Sequence, residues 1–235
     1  VTTGVAGFVN RTDFTTQPVA EIQDISGNLV DSSANVEVTI STGNLTGTTL
    51  LPAVHGVADW STATTALGKY GTIGSKTLTF ASTGLASDTT QVFTLTHGVA
   101  TQLVLISGDS TVRAGFALGA TTLEIQDQDG NTVADSTATV TLSSSNATVG
   151  GTLLSSAVAM NANSGVANFS GRNVKLTGST GSKYLTATIP GGLTVTNSVT
   201  ITFGAATQLA IVQQAAGAVN GLAFSTQPQV VFQDI

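Results

Sequence analysis

The chain has 235 residues, a formal net charge of −6, 9% charged residues, no Cys and two His. The lack of Cys excludes disulfides, thiolate metal sites and a cysteine nucleophile, two His exclude a His-rich metal centre, and seven Lys and Arg leave no basic footprint for nucleic acid. Thr, Ser and Gly interrupt every apolar stretch well before the roughly 18 residues that a membrane helix needs. Hydrophobic residues are still 41% of the chain. The abundant Thr and Val branch at Cβ, which suits a pleated strand, so the composition predicts an all-β protein. The start, Val1-Thr2-Thr3-Gly4, has no charged signal-peptide region. That fits a processed chain or a window on a longer one.

In chain order, the first recognisable element is Ile22-Gln23-Asp24, followed by the turn residues Ile25-Ser26-Gly27-Asn28. It returns as Ile125-Gln126-Asp127 and again as Phe232-Gln233-Asp234, at offsets of 103 and 107. Gly56-Val57-Ala58-Asp59-Trp60 returns as Gly165-Val166-Ala167-Asn168-Phe169, and Gly74-Ser75-Lys76 as Gly181-Ser182-Lys183. His97-Gly98-Val99-Ala100-Thr101-Gln102-Leu103 returns as Phe203-Gly204-Ala205-Ala206-Thr207-Gln208-Leu209. The same elements in the same order define a repeat of about 105 residues, the size of one β-sandwich. The expected division is 1–98, 99–204 and 205–235, the last being the start of a third repeat. Val1–Ile25 aligns without gaps to Ile211–Ile235. A remnant of that size cannot bury a core by itself. It either opens a longer array or supplies strands that complete a sandwich in a neighbouring chain.

Within the second repeat, strands are expected at Leu103–Ser107, Thr121–Asp127, Ala138–Ser143, Thr148–Leu154, Ala157–Asn161, Gly165–Ser170, Lys183–Ile189 and Thr194–Phe203. Ala138-Thr139-Val140-Thr141-Leu142-Ser143 is a strict period of two, and turn signals fall every 8–12 residues or so. Strands this short, without crossover helices, predict antiparallel sheets.

Candidate chemistry is sparse. Gly71–Lys76 and Gly178–Lys183 read Gly-x-x-Gly-Ser-Lys, but a phosphate loop has a different spacing and a following helix, so a repeated turn is expected. Gly108-Asp109-Ser110 echoes a serine hydrolase, yet His55 and His97 lie outside the second repeat, and no catalytic residue is assigned. Asp127, Asp129 and Asn131 are the candidate calcium ligands; the competing reading is a turn whose side chains bond their own backbone. Asp135 or a carboxylate of the adjoining repeat would add ligands to such a site. Trp60 and Phe169 are expected in the core rather than as a sugar platform. Sequons stand at Asn10, Asn44, Asn146 and Asn168, the last in an expected strand.

The elements Asp24-Ile25-Ser26-Gly27-Asn28-Leu29 and Asp127-Gln128-Asp129-Gly130-Asn131-Thr132, followed by alternating strands and Gly-Val-Ala-x-Trp/Phe, resemble the bacterial immunoglobulin-like domains of the invasin and intimin type. That family often has Pro after the Asn, where this chain has Leu29 and Thr132. The resemblance covers essentially the whole chain and implies tandem immunoglobulin-like antiparallel β-sandwiches in a large surface protein. It implies a structural, non-enzymatic role at the cell surface or outside the cell. The expected function is a filament, sheath or surface layer built from copies of the chain by head-to-tail or strand-exchange association. The alternative is the stalk or binding region of an adhesin that recognises a host receptor or glycan. An accessory region of a secreted enzyme is a third reading. Fold alone does not fix function.

Overall fold

A computed structural model describes residues 1–145, 147–150, 154–155 and 157–234. Its contacts define two compact units, Val1–Thr101 with Gln126–Val133, and Gln102–Ile125 with Ala134–Ile235. Both are β structures, and the sole helical element among the described residues is the 3-10 turn Trp60–Thr62. No helix among the described residues is long and apolar enough to cross a membrane.

In the second unit, one sheet orders Gln102–Gly108, Thr121–Gln126 and Val166–Asn168. The other orders Thr111–Arg113, Thr194–Thr202, Gly181–Thr188, Thr139–Ser144 and Ala157–Asn161. Alternation along each strand places Leu123 and Ile125 of the first sheet, and Val140, Leu142, Leu185, Ala187, Val199 and Ile201 of the second, in the core. The two faces meet around a small void of about 10 Å³ lined by Leu105, Thr121, Leu123, Leu142, Leu185, Ala187, Val195 and Asn197.

The first unit is built the same way. Val19–Glu21 pairs with Val57–Asp59, and the four-stranded sheet orders Asp88–Thr89, Leu78–Ala81, Asn35–Ile40 and Leu50–Pro52. Ala20 and Ala58 from one sheet share a core with Val36, Val38, Leu78 and Phe80 from the other. Trp60, 1% exposed, lies edge-on to Phe80 at 5.2 Å, and its indole N–H donates to the Thr48 carbonyl at 2.8 Å. Phe169 is equally buried in the second unit, so both aromatics are core residues as expected. Burying side chains of this size stabilises by about 2–3 kcal/mol each.

The Gly56 and Gly165 positions have a backbone cause. His55 and Gly56 have φ of 50° and 83°, and Ser164 and Gly165 have φ of 50° and 76°. Two consecutive positive φ values make the turn that matches the twist of a two-residue hairpin. The bridges Val54↔Val57 and Asn163↔Val166 close those hairpins. A Cβ on Gly56 would also stand 2.1 Å from the Val30 carbonyl oxygen.

Two details depart from expectation, and a third expectation lies partly outside the described residues. Thr111–Arg113 pairs in parallel with Thr200–Thr202, whereas antiparallel sheets were expected. A parallel pair needs a long connection, and here the rest of the sandwich supplies it. Thr111–Arg113 and Lys175–Thr177 are strands the sequence did not announce, because three residues are too few to display a period of two. The expected strand Thr148–Leu154 is described only as Thr148–Gly150 and Leu154–Ser155; residues 151–153 lie outside the described residues.

The Thr121 hydroxyl is buried without a hydrogen-bond partner against the apolar lining of the second core. Desolvating a hydroxyl that gains no bond is unfavourable. Thr121→Val keeps the shape and removes the polar atom, so it should raise stability by about 1 kcal/mol. Urea unfolding of the two proteins measures this; a less stable valine variant would contradict it.

Candidate functional site

The densest polar cluster lies in the first unit, where Asp127 begins the five-residue turn Asp127–Asn131. Its own Oδ1 accepts the backbone N–H groups of Asp129 at 2.9 Å and Asn131 at 3.0 Å. The Asn131 amide N–H₂ donates to both Asp127 oxygens, at 3.1 and 3.0 Å. Gly130, with φ of 81°, lets the chain turn inside this cap. Asp24–Asn28 has the same internal bonds: Asp24 Oδ1 accepts from Ser26 and Asn28 at 2.9 Å, and Gly27 has φ of 83°.

The Asp127 turn is seated, and the seat is built from elements that the sequence repeats. Asp127 Oδ2 accepts the backbone N–H of Gly98 at 2.9 Å and the Asn10 amide at 2.8 Å. Asn131 Oδ1 accepts the Ile73 N–H at 3.1 Å, while its Nδ2 donates to the Gly71 carbonyl at 2.9 Å. Thus the Gly71–Lys76 element holds an asparagine side chain with its backbone. Arg11 grips Asp129 with two N–H···O bonds of 2.8 and 2.5 Å and lies over the Tyr70 ring. The gripping side chains are out of solvent, Asn10 at 2%, Asp127 at 1% and Asn131 at 6% exposed, while Gln128 and Gly130 stay exposed at the tip of the turn.

The electrostatics follow from these donors. Burial pushes the Asp127 carboxyl up, but the Gly98 N–H together with Asn131 and Asn10 outweighs it and holds the group well below the usual carboxylate range. The Arg11 hydrogen bond likewise lowers Asp129. Elsewhere in this unit Lys69, 1% exposed, donates to the carbonyls of Gly7, Thr12 and Asp13. Burial pushes its ammonium down to about 8, against the raising effect of Asp13. The corresponding position in the second repeat is the buried Leu176, so the lysine is a local solution rather than part of the repeat.

The structure therefore brings the candidate calcium ligands Asp127, Asp129 and Asn131 together, but with N–H donors pointing at their oxygens. Calcium takes about 6–8 oxygen ligands, and in this arrangement it would have to displace Arg11, Asn10 and Gly98. Among the described residues no group of three or more His, Cys, Asp or Glu side chains is gathered in a way that could hold a metal ion. Asp135 is exposed. Asp109 caps its own loop through the N–H groups of Gly119 and Ala120, while the Ser110 carbonyl accepts from Thr200. His55 stands in the exposed hairpin turn beside Asp31 at 3.1 Å. Of the sequons, Asn10 is buried in the seat and cannot carry a glycan, Asn44 is exposed, and Asn168 is exposed but strand-paired. Asn146 lies outside the described residues.

Sequence reasoning did not identify Asn10, Gly98 and Gly71 as site residues. Gly98 carried a signal, since Gly204 recurs after the last strand of the second repeat. A Cβ on Gly98 would lie 3.0 Å from the Asn10 carbonyl oxygen, and one on Gly204 would lie 2.8 Å from that of Ala114. Both glycines admit a close backbone approach. In the second unit the Gly204 N–H donates to Asp234, as Gly98 donates to Asp127.

No family model matches the chain, and no curated protein matches it. Among solved structures it is similar to invasin, a bacterial integrin-binding protein, at 16% identity over 97% of this chain and 45% of that one, with a TM-score of 0.35. It is similar to the D0-D1 domain of intimin at 13% identity over 85% and 96%, with a TM-score of 0.31. A β-glycosidase from Bacteroides vulgatus matches at 16% identity over 73% of this chain, with a TM-score of 0.37, and only 21% of the glycosidase is spanned. Likenesses this loose carry no argument about role.

The depressed pKa of Asp127 contributes stability that is present above about pH 4 and is lost as the pH falls through the folded value. Asp127→Asn should lower stability at pH 7 by about 2–4 kcal/mol and flatten the acid limb of a melting-temperature profile. An unchanged acid limb would refute this. Millimolar calcium, or a chelator, should leave the melting temperature unmoved; a rise with calcium would show that the cation can displace the donors.

Proposed function

We propose that this chain belongs to an extracellular or cell-surface structural repeat protein. Its modules build a filament, sheath or surface layer with copies of the same chain, by head-to-tail or strand-exchange association. The observation that carries the reading is the hairpin Gln208–Gln213 with Gln229–Gln233. It presents a core face to solvent: Leu209 is 65% and Phe232 80% exposed, where their second-repeat counterparts Leu103 and Ile125 are 5% and 1% exposed. In the second repeat the same face packs into the core, so here it is what a complementary set of strands would cover, whether from the rest of a third repeat or from another copy of the chain. Low charge and a Thr-rich exterior leave little electrostatic repulsion between copies. A role in receptor or glycan binding has no comparable observation behind it.

Sedimentation velocity over a range of concentrations, followed by electron microscopy, tests this. Linear oligomers that shorten when Leu209→Lys and Phe232→Lys are combined are the expected result. A protein that stays monomeric at high concentration overturns it.

A further inference from the structure

The second unit contains an open hollow of about 690 Å³ lined by Gly178, Ser179, Phe203, Gly204, Phe232 and Asp234, among others. Its walls repeat the backbone part of the seat of the Asp127 turn, with Ala114 in the place of Asn10 and Gly115 in the place of Arg11. Gly71 and Gly74 have φ of 132° and 120°, and Gly178 and Gly181 have φ of 138° and 109°. Ile73, whose N–H holds Asn131, corresponds to Thr180. Gly204 corresponds to Gly98, and Asp234 already accepts its N–H.

We propose that this hollow is the seat for the asparagine arm of an Asp-x-x-Gly-Asn turn that begins at Asp234. In the first unit the asparagine four residues beyond the gripped aspartate reaches the Gly71 carbonyl and the Ile73 N–H. The same span measured from Asp234 reaches the Gly178 carbonyl and the Thr180 N–H. The ligand is therefore a carboxamide that accepts one backbone bond and donates another, on a turn capped by its own aspartate. Asp24–Asn28 forms that capped turn without a seat, so the turn is preformed before it docks. Preorganisation of this kind removes most of the ordering penalty on docking. The inference deepens the array reading and rests on it only for the source of the turn, which is the same polypeptide.

The test lengthens the chain after Ile235 with a copy of its own residues 26–30, Ser-Gly-Asn-Leu-Val. A control lengthening carries alanine in place of the copied asparagine. Amide hydrogen exchange at Thr180 should slow by roughly tenfold or more in the lengthened protein and return to its original rate in the control. Gly204 should remain protected in both. Unchanged exchange at Thr180 overturns the proposal. So does protection that appears only as the concentration is raised, since that would place the turn of another copy in the hollow. Oligomer size, read on the same samples, separates the two ideas. A filled seat in a monomer retires the filament and keeps the seat, while oligomers with free exchange at Thr180 do the reverse.

Discussion

An ionised carboxylate held out of water by backbone and amide N–H groups is the interaction on which the organisation of this chain turns. Asp127 is nearly inaccessible, and a charge so placed would be prohibitive without partners. It is tolerable because Gly98, Asn10, Asp129 and Asn131 all donate to it. Those donors come from the end of the last strand of the first repeat, from an early strand connection and from the turn itself. One side chain thus ties three stretches of chain that are far apart in sequence. Asp24, with the same local cap and no seat, is exposed, which separates the turn's intrinsic geometry from its docking.

Around that contact the architecture is ordinary in its physics. Alternating Val, Leu, Ile and Phe face inward, Thr and Ser face outward, and paired sheets hide the apolar faces. Glycines sit where backbone geometry requires them, at the positive-φ hairpins before Val57 and Val166 and at the close approaches of Gly98 and Gly204. Because these demands concern backbone rather than side-chain chemistry, the two repeats can diverge elsewhere. Trp60 and Phe169 fill equivalent places, and so do Lys69 and Leu176, one a cation under three carbonyls and the other a plain hydrocarbon.

The Asp127–Asn131 turn is held by residues 10–98 of the same compact unit, through backbone N–H and C=O groups and through the Asn10 and Arg11 side chains. In the hairpin of residues 208–233, taken without the rest of a sandwich, strands that are buried in the second repeat display their apolar side. That apolar side comes from the same alternation that builds the core.

The amino-acid sequence by itself determined the all-β class, the repeat of about 105 residues, the place of most strands in the second repeat and the burial of Trp60 and Phe169. These follow from local periodicity and from recurrence, which need no knowledge of what lies across space. It also marked Asp127, Asp129 and Asn131 as belonging together, since they are neighbours in the chain. Only the tertiary structure decided what faces them. Asn10 read only as a sequon and Gly71–Lys76 as a repeated turn, yet both bond to a turn some 60 to 120 residues away. Donor and acceptor pairing at such separations leaves no periodic trace, because a single hydrogen bond constrains two residues and not a pattern.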